Sequence, residues 1–318
     1  MGFEDIIGHE KPKNLLRMFL ERKNIPHAFL FYGQEGIGKK LIAKEFIKYL
    51  FCESASACGE CRPCKKLQGG NHPDFITIEG EDSIGIDRSR MLSKEIYEYP
   101  YESEKRAIII DKAEKLTHEA ANALLKTLEE PPPFNHFFLI TSAEQEVPIT
   151  IRSRCTRVFF TPLVREQLKQ FFLMRTGGDE DLADLLARIS YGSIGCGLFW
   201  TEEEHLLLRR MIAELVAGKN RSFVNASLIA EKIAKTSSGF GIYLAFLLSL
   251  FRDMLVVKHS QDITKIVNKD LEGLLDWQII DTKWVESTIK RIQETMRIMR
   301  YNVNRWLVFE NLLFHVMR

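Results

Sequence analysis

Residues Gly33-Gln34-Glu35-Gly36-Ile37-Gly38-Lys39-Lys40 form a glycine-rich turn between an apolar run, His27-Ala28-Phe29-Leu30-Phe31-Tyr32, and a helical pattern over Leu41 to Leu50. A buried strand, a turn of this spacing and a helix opening directly after it are the parts of a phosphate loop. In the form G-x-x-x-x-G-K-[ST], backbone N–H groups wrap a polyphosphate, the Lys reaches the β and γ oxygens, and the final hydroxyl holds Mg²⁺. Here Lys40 stands in place of that hydroxyl. An ammonium is a donor only and has no lone pair for a metal, so a phosphate can rest on this loop but metal-assisted hydrolysis is not expected. A purely structural glycine turn is the competing reading; the flanking strand and helix favour a degenerate nucleotide fold.

The first ~160 residues alternate strand and helix patterns, which indicates a parallel sheet covered by helices. Strands are expected near 27–32, 74–78, 106–110, 136–140 and 157–160. A helix should start at Thr117, whose hydroxyl can cap it with Glu119 in the first turn, and end before Pro131-Pro132-Pro133. After Pro162 the pattern is helical, with breaks at Gly177-Gly178, Gly192 to Gly197, Gly218-Lys219-Asn220 and Ser237 to Gly241. The chain therefore divides into an α/β domain over 1–162, a small helical domain over 163–218 and an all-α domain over 219–318.

A length of 318 residues with 45% hydrophobic content suits two or three ordinary globular domains. The densest apolar run, Tyr243 to Phe251, is too short to span a bilayer and reads as a buried helix. Met1-Gly2-Phe3-Glu4-Asp5 has no basic head followed by an apolar core, so no secretory leader is expected. Net charge is +1 overall but +5 over 219–318, which fits either solvated helix faces or contact with an anionic partner.

Cys52, Cys58, Cys61 and Cys64 lie within 13 residues as C-x5-C-x2-C-x2-C. Four thiolates so spaced can close a tetrahedral Zn²⁺ site with no open position, which makes the site structural rather than catalytic. A redox or disulfide pairing and an iron–sulfur cluster are the alternatives. His72 is a possible substitute ligand, read instead as a loop residue of Asn71-His72-Pro73-Asp74, and Cys196 reads as packing.

Several segments resemble the AAA+ clamp loader subunits of bacterial DNA polymerase III, the delta-prime type in particular. They are Phe3 to Gly8, Pro26 to Gly33, the cysteine cluster, Ala120 to Pro132 with its Leu-Glu-Glu-Pro-Pro ending, Ile151 to Cys155, and Asn302 to Leu313. The resemblance implies an AAA+ P-loop domain followed by a small helical lid domain and a C-terminal helical collar. It implies a five-subunit open ring that loads the sliding clamp onto primed DNA. Partners would be tau/gamma-type motor subunits and the delta subunit, with the clamp and primed DNA met through the assembled complex, in the cytoplasm and away from any membrane. Zinc modules near the phosphate loop are also common in that family.

Set against active relatives, three positions speak against ATP hydrolysis: Lys40 for the Mg²⁺-binding hydroxyl, Lys112 after Asp111 where a Glu polarises water, and Gly195 for a second-sensor Arg. ATP binding itself is left open at Gly33, Gly36, Gly38, Lys39, Asp111 and Thr141, the last either a sensor-type hydrogen bonder or a strand-end hydroxyl. Ser153-Arg154-Cys155 matches the family's catalytic motif, with Arg154 offered in trans as an arginine finger to a neighbour's ATP. An ATP-hydrolysing motor subunit is the alternative function. A nucleic-acid-binding zinc protein is a third reading, disfavoured because the cysteine segment lacks a dense basic and aromatic run.

Overall fold

A computed structural model describes residues 2–80, 84, 96–219, 221–236, 239–260, 262–274, 281–299, 301 and 303–317. Met1, Asn220, Ser237, Ser238 and Asn302, which figure in the terminal, break and motif readings above, lie outside the described residues. Contacts divide the chain into two units, Met1–Gln167 with Gly192–Ile194, and Leu168–Tyr191 with Gly195–Arg318.

In the first unit, five strands form one sheet: β1 (Ala28–Tyr32), β2 (Phe75–Ile78), β3 (Arg106–Asp111), β4 (Asn135–Thr141) and β5 (Thr156–Phe159). Their order is β2-β3-β4-β1-β5 and every pairing is parallel, with Leu30 opposite Leu139 and Phe31 opposite Val158. Successive strand residues face opposite sides, and both sides are apolar. Phe29, Phe31, Ile109, Phe138 and Ile140 enter one core layer, while Ala28, Leu30, Ile108, Ile110, Phe137 and Leu139 enter the other.

Helices α1 (Glu10–Glu21) and α2 (Lys39–Phe51) cover the first face through Leu16, Ile42, Phe46 and Ile47. A short α3 (Arg62–Gln68) follows, and α4 (His118–Glu129) and α5 (Ile149–Arg152) cover the second face through Ala121, Leu124, Leu128 and Ile151. The start of α4 is fixed by its cap, since Thr117 Oγ1 accepts from the Ala120 N–H at 3.2 Å. β1 has β4 on one side and β5 on the other, so the chain leaves β1 and β4 in opposite directions. That reversal opens a crevice at the carboxyl ends of these strands, where ligands of open α/β sheets bind.

The remaining α-helices among the described residues are α6 (Arg165–Arg175), α7 (Glu180–Ile189), α8 (Ile194–Phe199), α9 (Glu203–Val216), α10 (Phe223–Lys235), α11 (Phe240–Ser260), α12 (Thr282–Ile298) and α13 (Arg305–Val316). Within the second unit α10 packs on α13 and α11 on α12. The apolar run Tyr243 to Phe251 lies in the 21-residue α11, which by length and composition alone, with a window of mean hydropathy 1.9, could cross a membrane, and it is a buried helix as the run suggests. Over half of that window is buried inside the protein.

α11 also carries Asp253, fully buried, whose carboxylate accepts from the N–H of Val267 at 2.9 Å and of Asn268 at 2.8 Å. Asn268 in turn accepts from buried Arg209 at 2.7 Å, and Arg209 pairs with Asp270. Buried charges persist here because each finds an opposite charge or a strong donor.

Candidate nucleotide cleft, arginine finger and metal centre

The glycine-rich turn sits at the carboxyl end of β1, in the crevice the strand order opens. Gly33 cannot be replaced: an added Cβ would lie 2.3 Å from the carbonyl oxygen of Phe160, and its φ is +144°. Gly38 has φ +104° and forms the N-cap of α2. Gly36 has φ +73°, completing the loop's tight path. His9 Nε2 lies 2.6 Å from the Ile37 carbonyl, and Ser193 Oγ donates to the Glu35 carbonyl at 2.8 Å, so the loop is clasped from two distant segments.

A cleft of about 360 Å³ opens over the loop, lined among others by Lys39, Lys40, Asp111, Lys112, Glu114 and Thr141. Lys39 is buried and turns its ammonium onto the loop itself, donating to the carbonyls of Gly33 at 2.7 Å and Gln34 at 2.6 Å. Burial holds its pKa below the ordinary value, although Glu114, Glu35 and Asp111 pull the other way.

Lys40 is placed differently. Its ammonium bridges Glu79, at the end of β2, and Asp111 Oδ2 at 3.1 Å, at the end of β3. Burial alone would push this group down; the hydrogen bonds and charges of Glu79 and Asp111 outweigh it and leave the pKa raised. Asp111 Oδ1 accepts from the Lys112 N–H at 3.0 Å, so both carboxylate oxygens are engaged within the protein. The Lys112 backbone is left-handed, with φ +55°, and its side chain is exposed at the cleft.

Glu114 is the cleft residue that sequence reasoning missed. Two positions beyond Lys112, its Oε1 accepts from Ser142 Oγ at 2.9 Å, while Oε2 is buried with no hydrogen-bond partner. The only signal in the sequence was an acid close after β3, displaced from the expected place. Thr141, buried at the end of β4, uses Oγ1 to accept from the Ala143 N–H at 3.0 Å. Gly195 lies in α8 and has no side chain to offer a phosphate.

Away from this cleft, Arg154 lies in the turn between α5 and β5. Nη1 donates to the Thr150 carbonyl at 2.8 Å and Nη2 pairs with Glu129, leaving about a third of the side chain exposed. Ser153 Oγ donates to the same Thr150 carbonyl at 3.1 Å. Cys155 packs against the second core layer, and burial pushes its thiol up to about 12, so it is a packing group without nucleophilic character.

The four clustered cysteines converge. Their sulfurs all lie within 4.8 Å of one another, with Cys52 3.6 Å from Cys58 and 4.0 Å from Cys61. A Zn–S bond of about 2.3 Å puts the sulfurs of a tetrahedral site about 3.8 Å apart, so the set fits the ion. All four are free thiols, and the N–H groups of Cys58 and Cys61 each point at a preceding sulfur at 3.4 Å, as thiolate ligands require. His72 is not among them. Its Nδ1 accepts from the Asp74 N–H at 3.2 Å, its Nε2 meets Ser103 Oγ, and its ring lies on Phe51.

Comparison with known proteins finds similarity to subunits of DNA polymerase III. The family described as DNA polymerase III, delta subunit, matches residues 8–164. DNA polymerase III subunit tau of Bacillus subtilis (strain 168) is 29% identical over 293 residues, 84% of this chain and 52% of that one. DNA polymerase III subunit delta' of Escherichia coli (strain K12) is 29% identical over 255 residues, 78% of this chain and 75% of that one. A solved structure of a gamma subunit-related protein from Thermotoga maritima aligns over 97% of this chain and 99% of that one, at 18% identity and a TM-score of 0.49. The chain spans about half, or less, of the length of the first curated relatives it matches. A parallel α/β sheet, a phosphate-type loop at its switch point and these relatives together support a clamp loader AAA+ family member of the DNA polymerase III type.

Proposed function

We propose that this chain is the delta-prime-type, non-hydrolysing subunit of a DNA polymerase III clamp loader. It enters a ring with tau/gamma-type motor subunits and a delta subunit, in the cytoplasm, and helps load the sliding clamp onto primed DNA. Residues 163–218 serve as lid and 219–318 as the collar that joins subunits. Arg154 is delivered to the ATP of an adjacent motor subunit, where Ser153 and Cys155 shape the turn that presents it. A structural zinc is held by Cys52, Cys58, Cys61 and Cys64.

One observation supports the non-hydrolysing part above others: the Lys40 ammonium is seated on Asp111 and Glu79, where a phosphate-bound Mg²⁺ would need oxygen ligands. Phosphoryl transfer depends on positioning and charge neutralisation by Mg²⁺, and a lysine there offers the metal no ligand. The purified chain is therefore expected to show no Mg²⁺-dependent ATP turnover above background. Turnover that disappears in Lys39→Ala would overturn this reading.

A motor-subunit reading draws support from Glu114, an acid in the cleft with one unpartnered oxygen, and from the similarity to tau. It requires turnover that is also lost in Glu114→Gln, so the same assay separates the two.

A further inference from the structure

We propose that Glu129 is a positioning residue for Arg154, fixing the plane of its guanidinium for a neighbouring subunit's nucleotide; this rests on the finger role proposed above. Glu129 is the last residue of α4, and Glu130 follows as its C-cap. Carboxylates at a helix C-terminus face the negative end of the dipole and are disfavoured there unless a cation answers them. Arg154, 25 residues later, supplies that cation through Nη2.

The second anchor is independent of the first. Nη1 donates to the Thr150 carbonyl at 2.8 Å and lies 3.4 Å from Ser153 Oγ. Two different nitrogens of one planar group, held by acceptors on two elements, define its plane. A guanidinium has five N–H donors, so others remain for a phosphate oxygen. Both anchors are themselves rigid: α4 is fixed by buried Ala120, Ala121, Leu124 and Leu128, and α5 by buried Ile151.

Stability does not account for the pair. The two side chains are about 33% and 48% exposed, and exposed pairs of this kind contribute little to folding. Glu129 should therefore be nearly silent in a melting experiment and visible in a kinetic one.

The test is steady-state ATP turnover by the loader reconstituted with ATP-hydrolysing subunits, DNA and clamp, at matched occupancy. Glu129→Gln keeps the size and loses the charge; it should lower kcat about tenfold, the worth of one charge-assisted hydrogen bond, with KM and melting temperature unchanged. Glu130→Gln is the control and should behave as wild type. Glu129→Gln combined with Arg154→Ala should be no slower than Arg154→Ala alone. If Arg154→Ala is slow while Glu129→Gln turns over normally or faster, the positioning role is wrong and the finger stands. A double variant slower than Arg154→Ala likewise removes the positioning role. If Arg154→Ala itself is unaffected, the finger reading fails and this inference with it.

Discussion

An ammonium beside Asp111 balances that carboxylate as a divalent cation would, but has no lone pair with which to hold a metal on a phosphate. Lys40 answers Asp111 and Glu79 at once, so these two carboxylates are balanced within the protein. Because its folded pKa is raised above the ordinary 10.5, the pair's contribution is fully present below that value and is lost as pH rises through the folded value. Around neutral pH the triad is therefore intact. Lys40→Thr should restore a hydroxyl and free two carboxylate oxygens, so nucleotide binding should become Mg²⁺-dependent; titration calorimetry with and without Mg²⁺ reads this directly. Equal binding in both conditions would mean that Lys40 is not what keeps the metal out. The substitution itself was legible in the sequence, since Lys40 follows Lys39. Its partner Glu79 was not, because nothing in a linear pattern brings a residue 39 positions away to the same atom.

At the scale of elements, the strands were readable because their apolar runs are short, β-branched or aromatic, and bounded by turns. β3 and β4 were expected near 106–110 and 136–140 and extend over Arg106–Asp111 and Asn135–Thr141. Strand order was not readable, since both faces are apolar and periodicity says nothing of neighbours. α11 runs past the apolar stretch Tyr243 to Phe251 and carries Asp253 as a buried charge, its carboxylate accepting from the N–H groups of Val267 and Asn268. The cysteine cluster was legible because its members are close in sequence as well as in space. α3 carries Cys64 and ties to the turn before β3 through Lys66 and Glu102, at 2.6 Å, while Asp74 holds that turn by accepting from the N–H groups of Tyr101, Glu102 and Ser103. One equivalent of zinc per chain is expected by elemental analysis after gel filtration. Cys64→Ala should lower the metal content and the melting temperature together without changing turnover of the assembled loader, because four thiolates leave no open position. Metal-free protein of normal stability would remove the site.

For the whole molecule, the proposed function has a neighbour hydrolyse the nucleotide while this chain supplies charge stabilisation. The Ser153-Arg154-Cys155 motif behind the proposed finger was legible, but the contact of Arg154 with Glu129 depends on how α4 and the turn before β5 meet, which the sequence does not state. The measurement that bears most directly on this division is DNA- and clamp-stimulated ATP turnover by the reconstituted loader, comparing wild type, Arg154→Ala and Arg154→Lys at equal incorporation. A finger supplied in trans accelerates transfer by about 10³–10⁵ where it acts, so Arg154→Ala should strongly depress hydrolysis at the one site it serves. Arg154→Lys should recover only part of it, because an ammonium keeps the charge and loses the planar fork. Turnover in Arg154→Ala equal to wild type, with the complex intact, would contradict the account and leave this chain as scaffold alone.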